Sequence, residues 1–168
     1  MKKISPVLLI LACASSVAFS GCDENLSKNE YATLVVNIYS EYEQKFDEII
    51  AAIQSQQRVT ADSLCDEASK IMDDMIALEP PVAFSDEDER LEDYCKNEKE
   101  KLSLQKEYMK LVKDEENITP EQKERISEIT ERMSVLSLNS DKFYRLVDEI
   151  AGKQLETQTE PPENLLER

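Results

Sequence analysis

Apolar residues recur along most of this chain in steps of three and four, the spacing that lines one face of an α-helix. A first stripe runs through Tyr31, Val35, Ile38, Tyr42, Phe46, Ile49 and Ile53. Ser27 and Glu30 stand just ahead of it at capping-box spacing, so a helix is expected to start there. The segment SQQRVT interrupts the pattern, and Thr60 is the expected N-cap of a second helix. That helix carries Leu64, Cys65, Ala68, Met72, Met75 and Ile76 and stops before Glu79-Pro80-Pro81. The paired prolines cannot continue a helix, and Glu79 is driven extended by the ring that follows it.

A third stripe reads Leu91, Cys95, Leu102, Met109 and Val112. Ser85 is its expected cap, with the acids Asp86, Glu87, Asp88 and Glu89 set against the positive end of the helix dipole. After the break DEENITPEQ, Thr119 as cap, Pro120 in the first helical position and Gln122 three residues on form a strong start signal. The fourth stripe keeps Ile126, Ile129, Met133, Leu136, Ser140, Phe143, Val147 and Ile150 in register without a breaker. Gly152 is the expected C-terminal cap.

Four such segments with short breaks predict an all-α fold, an antiparallel up-down-up-down four-helix bundle. Helices of about 30 residues would be on the order of 45 Å long. The shorter second helix could leave one end of the bundle three-stranded and coiled-coil-like, with room there for an apolar groove; a homodimer, or helices one and three lengthened into a coiled coil, fits the stripes almost as well. Composition agrees, because no glycine stands between Gly21 and Gly152 and the chain is rich in Glu, Lys, Leu, Ala and Ile. Residues 28–154 are assigned to the bundle and residues 155–168, which lack periodicity, to a disordered tail.

The first residues follow a different rule. Lys2 and Lys3 precede an uncharged run from Pro6 to Phe19, too short to span a bilayer as a helix. A basic start, a brief apolar core and small exit residues describe a secretory signal peptide over residues 1–21. Its exit, Phe19-Ser20-Gly21-Cys22, resembles the lipobox of bacterial lipoproteins. The resemblance implies a thiol at Cys22 that is diacylated, cleavage just before it, and usually an acylated new N-terminus. Two or more acyl chains anchor a protein stably, at about 0.8 kcal/mol per buried CH₂. A rival box, Ile10-Leu11-Ala12-Cys13, would have a much shorter apolar run, and an ordinary cleaved signal with a free Cys22 is the plain alternative. Residues 22–27 would then be the lipidated N-terminus and a short linker. Asp23 and Glu24 resemble the signal that retains some lipoproteins in the inner membrane, facing the periplasm. In other groups early acids accompany the outer membrane or cell surface, and they also suit a solvated linker.

Charge narrows the partners. The chain holds 20 basic and 36 acidic residues; without Lys2 and Lys3, 18 face 36, a net charge of −18. Such a surface repels phosphate backbones, so no nucleic acid partner is expected. The expected partners are the membrane, through the N-terminal lipid, and another protein.

Cys65 lies fifteen residues before Pro80 and Cys95 fourteen after Pro81, both on apolar stripes. A fold-back at the prolines would bring them level, and an oxidising compartment would permit a Cys65–Cys95 disulfide. Over this separation it would contribute about 3–4 kcal/mol in the chain-entropy model. Two buried thiols are the alternative.

The chain has no histidine, which removes histidine bases, Ser-His-Asp triads and Glu-x-x-His di-iron sites. Tryptophan is absent too, and no glycine-rich phosphate loop occurs. No catalytic residue, cofactor or metal site is expected, and the protein reads as a non-enzyme. Asp73-Asp74 and the acids at 86–89 could collect hard cations weakly, but neighbouring helical residues diverge and make poor cages. Tyr39, Tyr94, Tyr108 and Tyr144 read as half-buried bundle tyrosines with wet hydroxyls, or else as a partner surface. Asn117-Ile118-Thr119 fits a glycosylation sequon and is read as loop and cap. Three functions compete: a lipid-tethered binding or scaffolding module, an acidic inhibitor or immunity-type lipoprotein masking a basic toxin or enzyme, and a carboxylate-based cation binder.

Overall fold

The computed structural model describes residues 26–159, with four α-helices in the order the stripes predict. They are α1 (Lys28–Gln54), α2 (Arg58–Ile76), α3 (Ser85–Leu111) and α4 (Pro120–Thr159). Each packs against its neighbours in sequence, and α4 closes the ring against α1, so the fold is an all-α bundle. The proposed lipid site and its flanking acids, Cys22, Asp23 and Glu24, lie outside the described residues, as does the end of the expected tail.

Two of the helix starts follow local chemistry as expected. At α1 the Ser27 Oγ accepts from the Glu30 N–H while the Glu30 carboxylate accepts from the Ser27 N–H at 3.0 Å. At α4 the Thr119 N–H donates to Gln122 Oε1 at 2.9 Å and the Gln122 N–H donates to Thr119 Oγ1 at 3.2 Å. The other two starts differ. Helix α2 begins at Arg58, ahead of Thr60, with Gln57 at the cap and no side-chain cap bond. Helix α1 explains this, because it ends in a Schellman turn. Gln56 takes a left-handed φ of 58°, its N–H donates to the Ile53 carbonyl at 2.9 Å, and the Gln57 N–H donates to that of Ala52 at 2.8 Å. The chain is therefore reversed within three residues and enters α2 early. Ser85 is already inside α3, whose cap position is Phe84. Its hydroxyl donates back to the Val82 carbonyl at 3.2 Å.

The helices pack with seven-residue steps. Along α2 and α3, Asp73 pairs with Lys99 and Asp66 with Lys106, the latter at 2.5 Å. Along α3 and α4, Arg125 grips Glu107 with two bonds of 2.7 and 2.9 Å, and Arg132 grips Glu100 with two of 2.7 Å. A repeat of seven in both partners is the coiled-coil period, which keeps facing stripes in contact along their length. Exposed pairs of this kind contribute little each, so their value here is that they report the register.

That register overturns the expected disulfide. Cys65 and Cys95 are both free and buried. The fold-back does not sit at Pro80-Pro81. Phe84, 1 % exposed, stacks on Tyr31 with ring centroids 5.3 Å apart, and it pulls the connection inward past the prolines. Cys65, beside Asp66, is therefore level with Lys106, whereas Cys95, one turn before Lys99, lies beyond the end of α2. Three helical turns, about 18 Å, separate the two heights, far outside the reach of a disulfide.

The short α2 does not open the expected groove at its end. Residues 77–84 take up its place in the bundle, with Leu78 packed against the core and Phe84 inside it. Helix α4 also runs through Gly152 to Thr159, so that glycine is an exposed interior residue and not a cap. Only the second half of α4, with Phe143, Leu146, Val147 and Ile150, joins the main core cluster with α1; its first half lies along α3.

Candidate functional site

Where α4 closes on α1, three helices bring polar side chains into the middle of the bundle. Tyr42 on α1, Glu98 on α3 and Ser140 on α4 each occupy a stripe position of their own helix. Tyr42 donates its hydroxyl to Glu98 Oε2 at 2.5 Å, and Ser140 donates to Glu98 Oε1 at 2.6 Å. Lys101, one turn after Glu98, reaches the same carboxylate at 2.5 Å and donates to Ser140 Oγ at 3.0 Å. Its ammonium also lies 4.8 Å from the centre of the Phe46 ring, a cation–π contact. Glu98 is 3 % exposed and Lys101 7 %. An ion pair so buried persists only when each remaining donor and acceptor is met. Here they are: among the described residues no buried side-chain nitrogen or oxygen lacks a hydrogen-bond partner.

Aromatic rings surround this pair. Tyr39 meets Phe143 edge-on at 5.0 Å and Tyr144 at 6.3 Å, and Tyr94 stacks on Phe143 at 6.0 Å. Between α1 and α4 the rings wall an open cleft of about 400 Å³ whose floor is Glu98 and Lys101. Glu43, Asp47 and Asp141 stand at its mouth, each exposed. Burial and the Glu98 charge push the Tyr42 hydroxyl far above its ordinary range, and burial with Glu43 does the same to Tyr39. Both phenols therefore stay protonated and act as donors. The arrangement can bind and orient.

A second opening of about 440 Å³ lies between α2 and α3, with Cys65 at its base and Lys99, Lys106 and Lys110 around it. Burial pushes the Cys65 thiol up to about 11 despite the nearby Lys106. Cys95, deeper and facing Glu98 and Asp88, is pushed up to about 12. Both therefore stay thiols at neutral pH, whereas the thiolate is the nucleophilic form.

The other residues singled out in the sequence are dispersed. Asp73 is taken by Lys99, and Asp88 accepts the Tyr31 hydroxyl at 2.7 Å. Glu87 is buried, while Asp86 and Glu89 are exposed. Among the described residues no three Cys, Asp or Glu side chains converge as metal ligands. Tyr39 and Tyr94 pack against the core as half-buried residues, and Tyr144 is 51 % exposed. Glu98 and Lys101 were not picked out from the sequence. The signal was there, as a gap of seven between Cys95 and Leu102 in which position 98 carries a charge.

These features define an α-helical bundle protein with a polar layer in its core and an acidic, aromatic-walled cleft beside it. No family model matches the chain, and no curated protein or solved structure matches it. No described helix is long and apolar enough to cross a membrane.

Proposed function

We propose that this chain is a lipid-anchored protein of the bacterial cell envelope whose helical bundle binds or scaffolds another envelope protein. The observation that carries the reading is Phe19-Ser20-Gly21-Cys22 at the end of an apolar leader, with Cys22 as the acylated residue. The anchor places the bundle at a membrane face, and Asp23 and Glu24 favour the inner membrane, facing the periplasm. The absence of histidine and the inert thiols suit a role in binding without catalysis.

The intact mass of the membrane-extracted product tests the anchor: it should begin at Cys22 and carry acyl chains. Cross-linking in whole cells, followed by pull-down, tests the role. A partner should be captured by the full protein and not by the leader and Cys22 fused to an unrelated domain. Recovery of a soluble product that still begins at Met1 would overturn the anchor.

The net charge supports a second reading, an inhibitor or immunity-type lipoprotein that masks a basic toxin or enzyme. Opposite charge steers association and makes it sensitive to salt. A neighbouring gene encoding a basic effector, neutralised by this protein, would favour it over the scaffold.

A further inference from the structure

We infer that the cleft between α1 and α4 is a binding site for a linear aliphatic polyamine. The proposal starts from the cavity itself, which at about 400 Å³ falls in the range that holds small organic ligands. Its accessible walls are the rings of Tyr39 and Tyr144, backed by the buried Phe143, and such rings pack against methylene chains and attract ammonium groups to their faces. The fold already seats one alkylammonium there, since the Lys101 head lies over Phe46 with Glu98 and Ser140 as its acceptors.

Charge then selects the sign of a ligand. Four acids and one base line the cleft, and Lys101 is neutralised by Glu98, which leaves three negative charges at the mouth. Glu43, Asp47 and Asp141 have no cationic partner among the described residues. The α2–α3 opening differs, because there Lys99, Lys106 and Lys110 are each paired with an aspartate of α2. An anion would be repelled. A divalent metal would need converging oxygens, and the described residues offer no such group. Glu43 and Asp47 stand one turn apart on α1, about 6 Å between Cβ atoms, a span that an aliphatic diamine of three or four methylenes bridges. Asp141 faces them from α4 and would meet a third amine. The inference is independent of the partner-binding reading.

Calorimetry of the full chain in detergent, titrated with spermidine at low ionic strength, tests it. One spermidine should bind per chain, and binding should weaken as salt is raised. The triple variant Glu43→Gln, Asp47→Asn, Asp141→Asn should weaken binding about tenfold, and Tyr144→Ala about threefold. All four positions are exposed, so circular dichroism should show an intact helical fold. A charge-matched triple elsewhere, Glu124→Gln, Glu131→Gln, Asp148→Asn, should bind nearly as well as the parent. Absence of binding, equal loss in the charge-matched triple, or displacement by equimolar magnesium would each overturn the site. Tighter binding of a lysine-rich peptide through the same three carboxylates would also overturn the polyamine assignment, in favour of a docking point for a basic protein.

Discussion

Tyr42 and Glu98 meet hydroxyl to carboxylate at 2.5 Å across the centre of the bundle, tying α1 to α3, helices that are not neighbours around the ring. The bond belongs to a layer completed by Ser140 and Lys101. Three of the four helices, α1, α3 and α4, thereby contribute a polar group at one height, and sliding any of these three by a turn would leave buried charges unmet. A core polar layer of this kind acts as a register pin.

The layer gives an asymmetric mutational pattern. Glu98→Ala strands the Lys101 ammonium in the interior and should cost about 3–5 kcal/mol, read from urea unfolding. Replacing the set together, with Tyr42→Phe, Glu98→Leu and Lys101→Met, should recover most of that loss, because a buried ion pair adds little over an apolar filling. A triple variant less stable than Glu98→Ala would refute this account.

The two thiols should behave as inert core residues. Adding a reductant should leave the thermal midpoint of the protein unchanged, since Cys65 and Cys95 are not joined. Peptides bearing either residue should alkylate only after unfolding. A disulfide-linked pair recovered from the native protein would show that the helices pack in another register.

Stability should fall in alkaline solution. Burial raises Cys65 to about 11 and Cys95 to about 12 from an ordinary value of 9.0, and Tyr31 and Tyr42 also rise. The unfolded chain then loses these protons at lower pH than the folded one. The associated stability is complete below about pH 9 and is lost progressively as pH climbs through 11 and 12. Urea midpoints at pH 7, 9 and 10.5 should be level over the first interval and drop over the second.

Two backbone substitutions should stabilise the protein, in opposite chemical directions. Gln56 holds a left-handed conformation that glycine adopts freely, so Gln56→Gly should raise stability by about 1 kcal/mol. Gly152 lies inside α4 without a positive φ, and a Cβ there would meet nothing within 4 Å. Gly152→Ala should therefore add about 0.5–1 kcal/mol. Were Gly152 a left-handed cap, the same change would destabilise. Thermal melts of the two single variants distinguish these outcomes.

Much of the fold was legible because helix formation is a local matter. The capping pairs Ser27–Glu30 and Thr119–Gln122 lie three residues apart and their bonds close within one turn. The stripes through Tyr31, Val35 and Tyr42, or Ile129, Leu136 and Phe143, were read from spacing alone and are buried. Thr60 and Ser85 misled for a related reason. Each is a good capping residue, but the left-handed Gln56 and the buried Phe84 set the adjoining chain first, and the helices began without them.

The candidate site was only half visible. Tyr42, Phe46, Ser140 and Phe143 all lay on expected stripes, yet Glu98 and Lys101 read as surface charge. Their burial depends on one another and on groups about forty residues or more away, which spacing on a single helix cannot reveal.

By itself the sequence determined four helices and their inward faces. Only the tertiary structure decided the register, and with it the separation of Cys65 from Cys95 and the meeting of Tyr42, Glu98, Lys101 and Ser140. The physical reason is that a helix keeps its periodic face when it slides by a whole turn. The choice among such positions is made by side chains distant in sequence, here the seating of Phe84 on Tyr31 and the polar layer at Glu98.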